Sequence, residues 1–167
     1  MNISKGTKDA AGVNFVAAEL SMLGKVALPT TRNVKGPDIV VFDLETLKTA
    51  FIQVKSSDKT KNGWLCGRVD DDATDWEGKF RRTAVRSENY FYVFVALPAD
   101  EKSRPSYYVV PATEVADSVI ADTKLWLQKH PKAKPARQML AWAFFDKSGE
   151  LKDKYLNRWD VLKLEKD

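Results

Sequence analysis

The spacing of apolar residues predicts an amphipathic helix near the start of the chain. Its apolar members lie three or four residues apart and therefore fall on one side of a helix: Val13, Val16, Leu20 and Leu23. The predicted helix runs from about Ala10 to Leu23. Thr7 or Asp9 can cap its first turn, and Gly24 stands where a left-handed residue commonly ends a helix.

Runs of β-forming residues predict three strands after this helix. Each run is short and rich in apolar residues: Lys25 to Thr30, Pro37 to Asp43 and Ala50 to Lys55. Four consecutive apolar residues in the second run suit a strand that is covered on both faces. Because only turns separate the three runs, we expect the strands to form a meander.

The middle of the chain is polar, and the second half alternates strands with helices. From Ser56 to Asn89 we expect a long loop with one short helix at about Glu77 to Ser87. The elements predicted after it are strands at Tyr90 to Leu97 and Tyr107 to Pro111, a helix at Thr113 to Lys129, and a short helix at Asn157 to Leu164. This order predicts an α/β fold with one mixed β-sheet of about five strands flanked by helices.

Composition bounds the domain organisation and the class of protein. At 167 residues we expect one domain, with its core over about residues 10–130 and a C-terminal elaboration over about 131–167. Cys66 is the only cysteine, which excludes an intramolecular disulfide and any zinc site built from several cysteines. The first residues of the sequence lack the apolar core of a signal peptide, and no apolar run reaches about 20 residues, so we expect a soluble, cytoplasmic protein without a membrane partner.

Charge permits a polyanionic partner without requiring one. The chain has 27 Lys and Arg against 23 Asp and Glu, a net charge of +4. Basic residues are concentrated after residue 78 and again between residues 124 and 137. Solvated surface explains both stretches, and nucleic-acid binding is the alternative.

Three polar residues on two neighbouring predicted strands form a candidate site. Asp38 begins one strand, and Gln53 and Lys55 are two residues apart on the next, so strand alternation places these two on the same face. If the two strands pair as a hairpin, the three side chains meet at one edge of the sheet. Glu19, on the preceding helix, is expected to approach from the flank.

These side chains suit phosphodiester hydrolysis assisted by a divalent cation. Mg²⁺, or Mn²⁺ in its place, takes oxygen ligands and keeps several waters. Asp38 would be its anchoring carboxylate, the Gln53 carbonyl a neutral ligand, and Glu19 a ligand held directly or through water. The cation would activate a water, and Lys55 would orient that water or offset charge on the phosphorus.

Pro37-Asp38 followed by Gln53-Val54-Lys55, with Glu19 on a preceding helix, resembles the PD-(D/E)XK nuclease superfamily. The resemblance covers roughly Ala10 to Pro111 and implies a restriction endonuclease-like core. It also implies metal binding by Asp38 and Gln53, catalysis by Lys55 and an auxiliary role for Glu19. The family usually has Asp or Glu where this chain has Gln53, and the lost charge should weaken cation binding.

The resemblance implies DNA as the substrate and points to residues beside the site that would contact it. Ser56 and Ser57 would bond a phosphate, although a loop start explains them equally well. Basic residues in the following segment would contact the DNA backbone, chiefly Lys59, Lys61, Arg81 and Arg82. A homodimer is expected if both strands are cut.

Two other functions fit the same residues. One is a nuclease-like module that holds nucleic acid or a protein without cutting, which the change to Gln53 favours. The other is a structural interaction protein in which Asp38 and Lys55 form only an ion pair.

Overall fold

The protein has an α/β fold, as the order of apolar runs predicts. Its structure, a computed structural model, describes residues 4–31, 36–58, 64–68, 75–98, 100, 102–131, 139–142 and 154–166. Within these ranges a five-stranded mixed sheet is flanked by three α-helices. None of the described helices is both long and apolar enough to cross a bilayer.

The elements follow one another along the chain in an order close to the predicted one. They are helix α1 (Lys5–Met22), strands β1 (Val26–Pro29), β2 (Ile39–Phe42), β3 (Thr49–Ser57) and β4 (Trp64–Arg68), helix α2 (Trp76–Thr83), strands β5 (Tyr90–Ala96) and β6 (Ser106–Pro111), helix α3 (Ala112–Lys129), strand β7 (Met139–Trp142) and a 3₁₀ helix (Trp159–Leu162).

The main sheet combines the expected meander with a parallel pair. Its strand order is β1-β2-β3-β5-β6. Strands β1, β2 and β3 pair antiparallel, β3 pairs parallel with β5, and β5 pairs antiparallel with β6. Parallel neighbours need a crossover, and the segment with β4 and α2 supplies it.

Apolar residues cover both faces of the main sheet. Helix α1 covers one face, which we call the α1 face, where Val16 and Leu20 pack on Ile52 and Val54 of β3. Helices α2 and α3 cover the opposite face, where Phe94 of β5 lies at the centre of a second apolar cluster. The sheet is therefore the middle layer of a three-layer packing, and successive side chains of β3 face different surroundings.

Helix α1 begins five residues earlier than the apolar pattern predicts. Its N-cap is Ser4, whose Oγ accepts a hydrogen bond from the Thr7 backbone N–H at 3.2 Å, so the predicted caps Thr7 and Asp9 are wrong. The first two turns lack large apolar residues, and the stripe therefore becomes visible only at Val13. The C-terminal end is as expected, because Gly24 has φ +77°.

The predicted loop between β3 and β5 contains a strand. Strand β4 pairs antiparallel with β7 in a separate two-stranded sheet, so these partners come from segments about seventy residues apart in the sequence. The buried Trp64 side chain of β4 donates through Nε1 to the Val95 carbonyl at 3.3 Å. The short helix expected in this segment is α2, which begins and ends slightly earlier than predicted.

The described C-terminal residues protect one edge of the sheet and complete the α1 face. Asn157 donates its N–H to the Tyr107 carbonyl at 2.7 Å, and Leu156 forms an isolated bridge to Tyr108 of edge strand β6. Leu162 and Leu164 are buried in the apolar cluster beneath α1. A 3₁₀ helix stands where the sequence predicts a short helix.

Candidate functional site

Strand β3 carries the candidate site on the face opposite α1. Ile52 and Val54 are buried against the α1 layer, so strand alternation turns Gln53 and Lys55 to the other side, which we call the site face. Ile39 of β2 pairs with Ile52, which places Asp38 beside Gln53. The structure thus brings together the three residues that the sequence singles out.

Hydrogen bonds hold Asp38 in a fixed place. Its backbone N–H donates to the Ile52 carbonyl at 2.8 Å, which continues the β2–β3 ladder by one residue. Its Oδ2 accepts the Val54 backbone N–H at 2.7 Å and also the Gln53 side-chain Nε2–H. The other carboxylate oxygen, Oδ1, has no hydrogen bond among the described residues.

Asp38 is partly buried, and this burial changes the pKa of its carboxyl group. Desolvation raises the pKa of Asp38 above its ordinary value, and the charge of Asp9 adds to this effect. The Val54 N–H, the positive charge of Lys55 and the Gln53 amide oppose it. The pKa of Asp38 stays raised despite these three partners. A cation beside this half-buried carboxylate would therefore stabilise its charged form.

Tyr90 is a member of the site that the sequence does not reveal. It begins β5, where the parallel register sets it opposite Phe51, and its hydroxyl lies 3.5 Å from Gln53 Oε1. Burial and the nearby Asp38 charge both raise the pKa of Tyr90. The sequence assigns this residue to a core strand, and only the parallel pairing of β3 with β5 brings it to Gln53.

The structure does not bring Glu19 to this site. Its charge acts instead on Tyr107 of β6, whose pKa burial raises to about 12 with a further contribution from Glu19. The acid of α1 whose charge reaches Asp38 is Asp9. The two acids are ten residues apart on α1, which corresponds to about 15 Å along the helix axis.

Ser56 lies on the wrong face for the phosphate contact proposed from the sequence. It points toward α1, where a Cβ added to Gly12 would overlap Ser56 Oγ. This Oγ is buried and has no hydrogen-bond partner among the residues that the structure describes. Ser57, at the end of β3, alternates back to the site face, and its carbonyl accepts the Leu97 N–H at 2.9 Å.

The predicted basic contacts are described only in part. Lys59 and Lys61 lie outside the described residues. Arg81 and Arg82 are exposed on α2, where Arg81 pairs with Glu77 at 2.8 Å and Arg82 with Asp75 at 3.5 Å. Since exposed ion pairs contribute little, these arginines can exchange their carboxylate partners for phosphates at small cost.

The donor set fits a hard divalent cation that keeps most of its waters. No group of three or more His, Cys, Asp or Glu side chains is placed to hold a metal within the described part of the chain. Asp38 nevertheless offers Oδ1, and Gln53 could add its carbonyl oxygen if its amide, whose Nε2 now faces Asp38, were reversed. One or two protein ligands with several waters are a usual environment for Mg²⁺.

Comparisons with known proteins identify no relative. No protein-family model matches the chain, and neither the curated proteins nor the solved structures gave a match. The fold and the site geometry are therefore the basis for a functional proposal.

Proposed function

We propose that this protein is a Mg²⁺-dependent endonuclease that hydrolyses phosphodiester bonds in DNA. The observation that carries the proposal is the meeting of Asp38, Gln53 and Lys55 on the site face of β2 and β3. A carboxylate, an amide oxygen and an ammonium group in one half-buried place are the chemical groups that such hydrolysis uses.

The topology supports a restriction endonuclease-like core. The order α1-β1-β2-β3-α2-β5, with an antiparallel meander and a parallel β3–β5 pair, is compatible with the core implied by the resemblance to the PD-(D/E)XK superfamily. In this interpretation β4 and β7 are additions to that core, because within the described ranges they form a two-stranded sheet separate from the main one.

Each residue of the site has a separate role in the proposed reaction. Asp38 and Gln53 would hold the cation, which polarises the scissile phosphate and lowers the pKa of a bound water. The Val54 N–H keeps the Asp38 carboxylate in position. Lys55 supplies positive charge beside Asp38 and would stabilise the negative charge that develops on the phosphate.

Plasmid and branched DNA, incubated with increasing Mg²⁺ or Mn²⁺, provide the test. We expect cation-dependent cleavage by the wild-type protein and about a hundred- to thousandfold loss in Asp38→Ala and Lys55→Ala, the scale on which removal of one transition-state contact acts. Circular dichroism should show that both variants remain folded. Equal residual activity in all three proteins would refute the proposal, because a contaminating nuclease would then explain the cleavage.

A nuclease-like module that binds nucleic acid without cutting is the second candidate. The observation in its favour is the Gln53 amide, which donates to Asp38 Oδ2 and so occupies this carboxylate oxygen without a cation. This candidate requires DNA binding that weakens as salt rises, with no cleavage at any cation concentration. A lack of binding even at low salt would instead favour a protein partner.

A further inference from the structure

The side-chain amide of Gln53 lies between two partners of different chemistry. One end faces Asp38 Oδ2 within hydrogen-bonding distance, and the other end faces the Tyr90 hydroxyl at 3.5 Å. An ionised carboxylate can only accept hydrogen bonds, whereas a tyrosine hydroxyl can donate or accept. The NH₂ group must therefore face Asp38, and the carbonyl must face Tyr90.

The three side chains consequently form a directed series of hydrogen bonds. Tyr90 donates to Gln53 Oε1, and Gln53 Nε2 donates to Asp38, which also accepts the Val54 N–H at 2.7 Å. Such a series lets each bond polarise the next when the groups are shielded from water. Tyr90 and Asp38 are both partly buried, so this condition is met.

We propose that Tyr90 is a positioning residue for this site, because its hydroxyl holds one end of the Gln53 amide while Asp38 sets the direction of the NH₂ group at the other end. The hydrogen-bonded arrangement stands by itself, and its effect on cleavage rests on the proposed nuclease function. Gln53 can offer its carbonyl to a cation only if the amide exchanges its two ends. The Tyr90 hydroxyl can then accept from the NH₂ group, so it has a bond to make in either orientation.

The neighbouring Tyr92 offers a matched control. It lies two residues along β5 from Tyr90, is also partly buried, and contacts both Tyr90 and Phe94 through its ring. It makes no hydrogen bond to Gln53 in the described structure. Tyr90→Phe and Tyr92→Phe each remove one hydroxyl and keep the ring, so only the first should disturb the amide.

The first measurement needs neither a cation nor DNA. In ¹⁵N-labelled protein the side-chain NH₂ resonances of Gln53 are identified by their loss in Gln53→Glu. We expect Tyr90→Phe to move these resonances well beyond their line width and to speed their exchange with water, while Tyr92→Phe leaves them in place. Unchanged resonances in Tyr90→Phe would overturn the inference.

The second measurement uses cleavage of DNA by the two tyrosine variants. Tyr90→Phe should reduce the cleavage rate, because the Gln53 amide loses the hydroxyl that holds it, whereas Tyr92→Phe should leave the rate unchanged. The expected loss is about three- to tenfold, the size of one neutral hydrogen bond. Equal losses in the two variants, or no loss in either, would contradict a positioning role.

The two measurements separate failure of this inference from failure of the proposed function. If the resonances move as expected but the wild-type protein does not cleave DNA, the hydrogen-bonded arrangement stands and the nuclease proposal fails. If the wild-type protein cleaves DNA and the resonances do not move, the nuclease proposal stands and Tyr90 has no positioning role.

Discussion

The two faces of β3 place neighbouring residues in opposite physical situations. Ile52 and Val54 face α1 in a close-packed apolar layer, whereas Gln53 and Lys55 face the opposite side beside a partly buried carboxylate. On β3, one set of side chains therefore belongs to the packed core, and the other set is polar and available for chemistry. The contrast implies that substitutions one residue apart should affect different properties.

The largest effect on stability should come from the α1 face. Ile52 is fully buried, and Ile52→Ala should lower the free energy of unfolding by about 2–5 kcal/mol through lost apolar burial and the cavity left behind. Lys55→Ala, three residues along the same strand, should change it by less than about 1 kcal/mol. Urea denaturation measures the free energy of unfolding of both variants. Equal losses in the two would contradict the proposed difference between the two faces of β3.

A glycine determines how closely α1 approaches β3. An added Cβ at Gly12 would overlap Ser56 Oγ, so Gly12→Ala should destabilise the protein by about 1–3 kcal/mol through overpacking. Ser56→Ala removes that oxygen and should recover part of the loss. Gly6 is the matched control in the same helix, because its Cβ would meet nothing within 4 Å. Gly6→Ala should be neutral or stabilising by up to about 1 kcal/mol, and a comparable loss there would contradict the close approach.

The two acids of α1 should differ in their effect on cleavage. The charge of Asp9 reaches Asp38, whereas that of Glu19 reaches Tyr107. Under the proposed function, Asp9→Asn should reduce cleavage by about tenfold, as removal of a group outside the immediate ligands of a metal often does. Glu19→Gln should leave cleavage within about twofold of wild type. A larger loss of cleavage in Glu19→Gln than in Asp9→Asn would instead support the role that the sequence predicts for Glu19.

The smallest effect concerns the pH dependence of stability. Since the pKa of Asp38 in the folded protein is raised above 3.8, the folded state holds a proton that the unfolded state releases as pH rises past that value. This carboxyl therefore lowers the free energy of unfolding as pH rises through the window between its two pKa values. Asp38→Asn should become more stable relative to wild type as pH rises from about 3 to about 6. A constant difference across this range would argue against the raised pKa.

Local sequence patterns predict the strands of the main sheet but not the separate two-stranded sheet. Strong apolar runs identify β1, β2, β3, β5 and β6, because such runs report burial directly. Strands β4 and β7 pair with each other across a long separation in the sequence, and a five-residue and a four-residue strand carry too little pattern to predict that pairing. The sequence also fails to predict where α1 begins, because its polar first turn contains no apolar residues whose spacing could indicate a helix.

The same distinction explains which site residues the sequence identifies. Strand alternation is enough to join Gln53 with Lys55 and also to turn Ser56 away from them. The choice between Asp9 and Glu19 depends on how α1 lies across the sheet, and the position of Tyr90 depends on the register of β3 with β5. Neither arrangement leaves a periodic signal in the sequence.

Binding of Mn²⁺ at Asp38 is the most direct test of the site. Electron paramagnetic resonance of the free ion should show Mn²⁺ taken up by the wild-type protein without DNA, and Asp38→Asn should lose this binding while remaining folded. Identical Mn²⁺ uptake by the wild-type protein and Asp38→Asn would contradict a cation site built on Asp38.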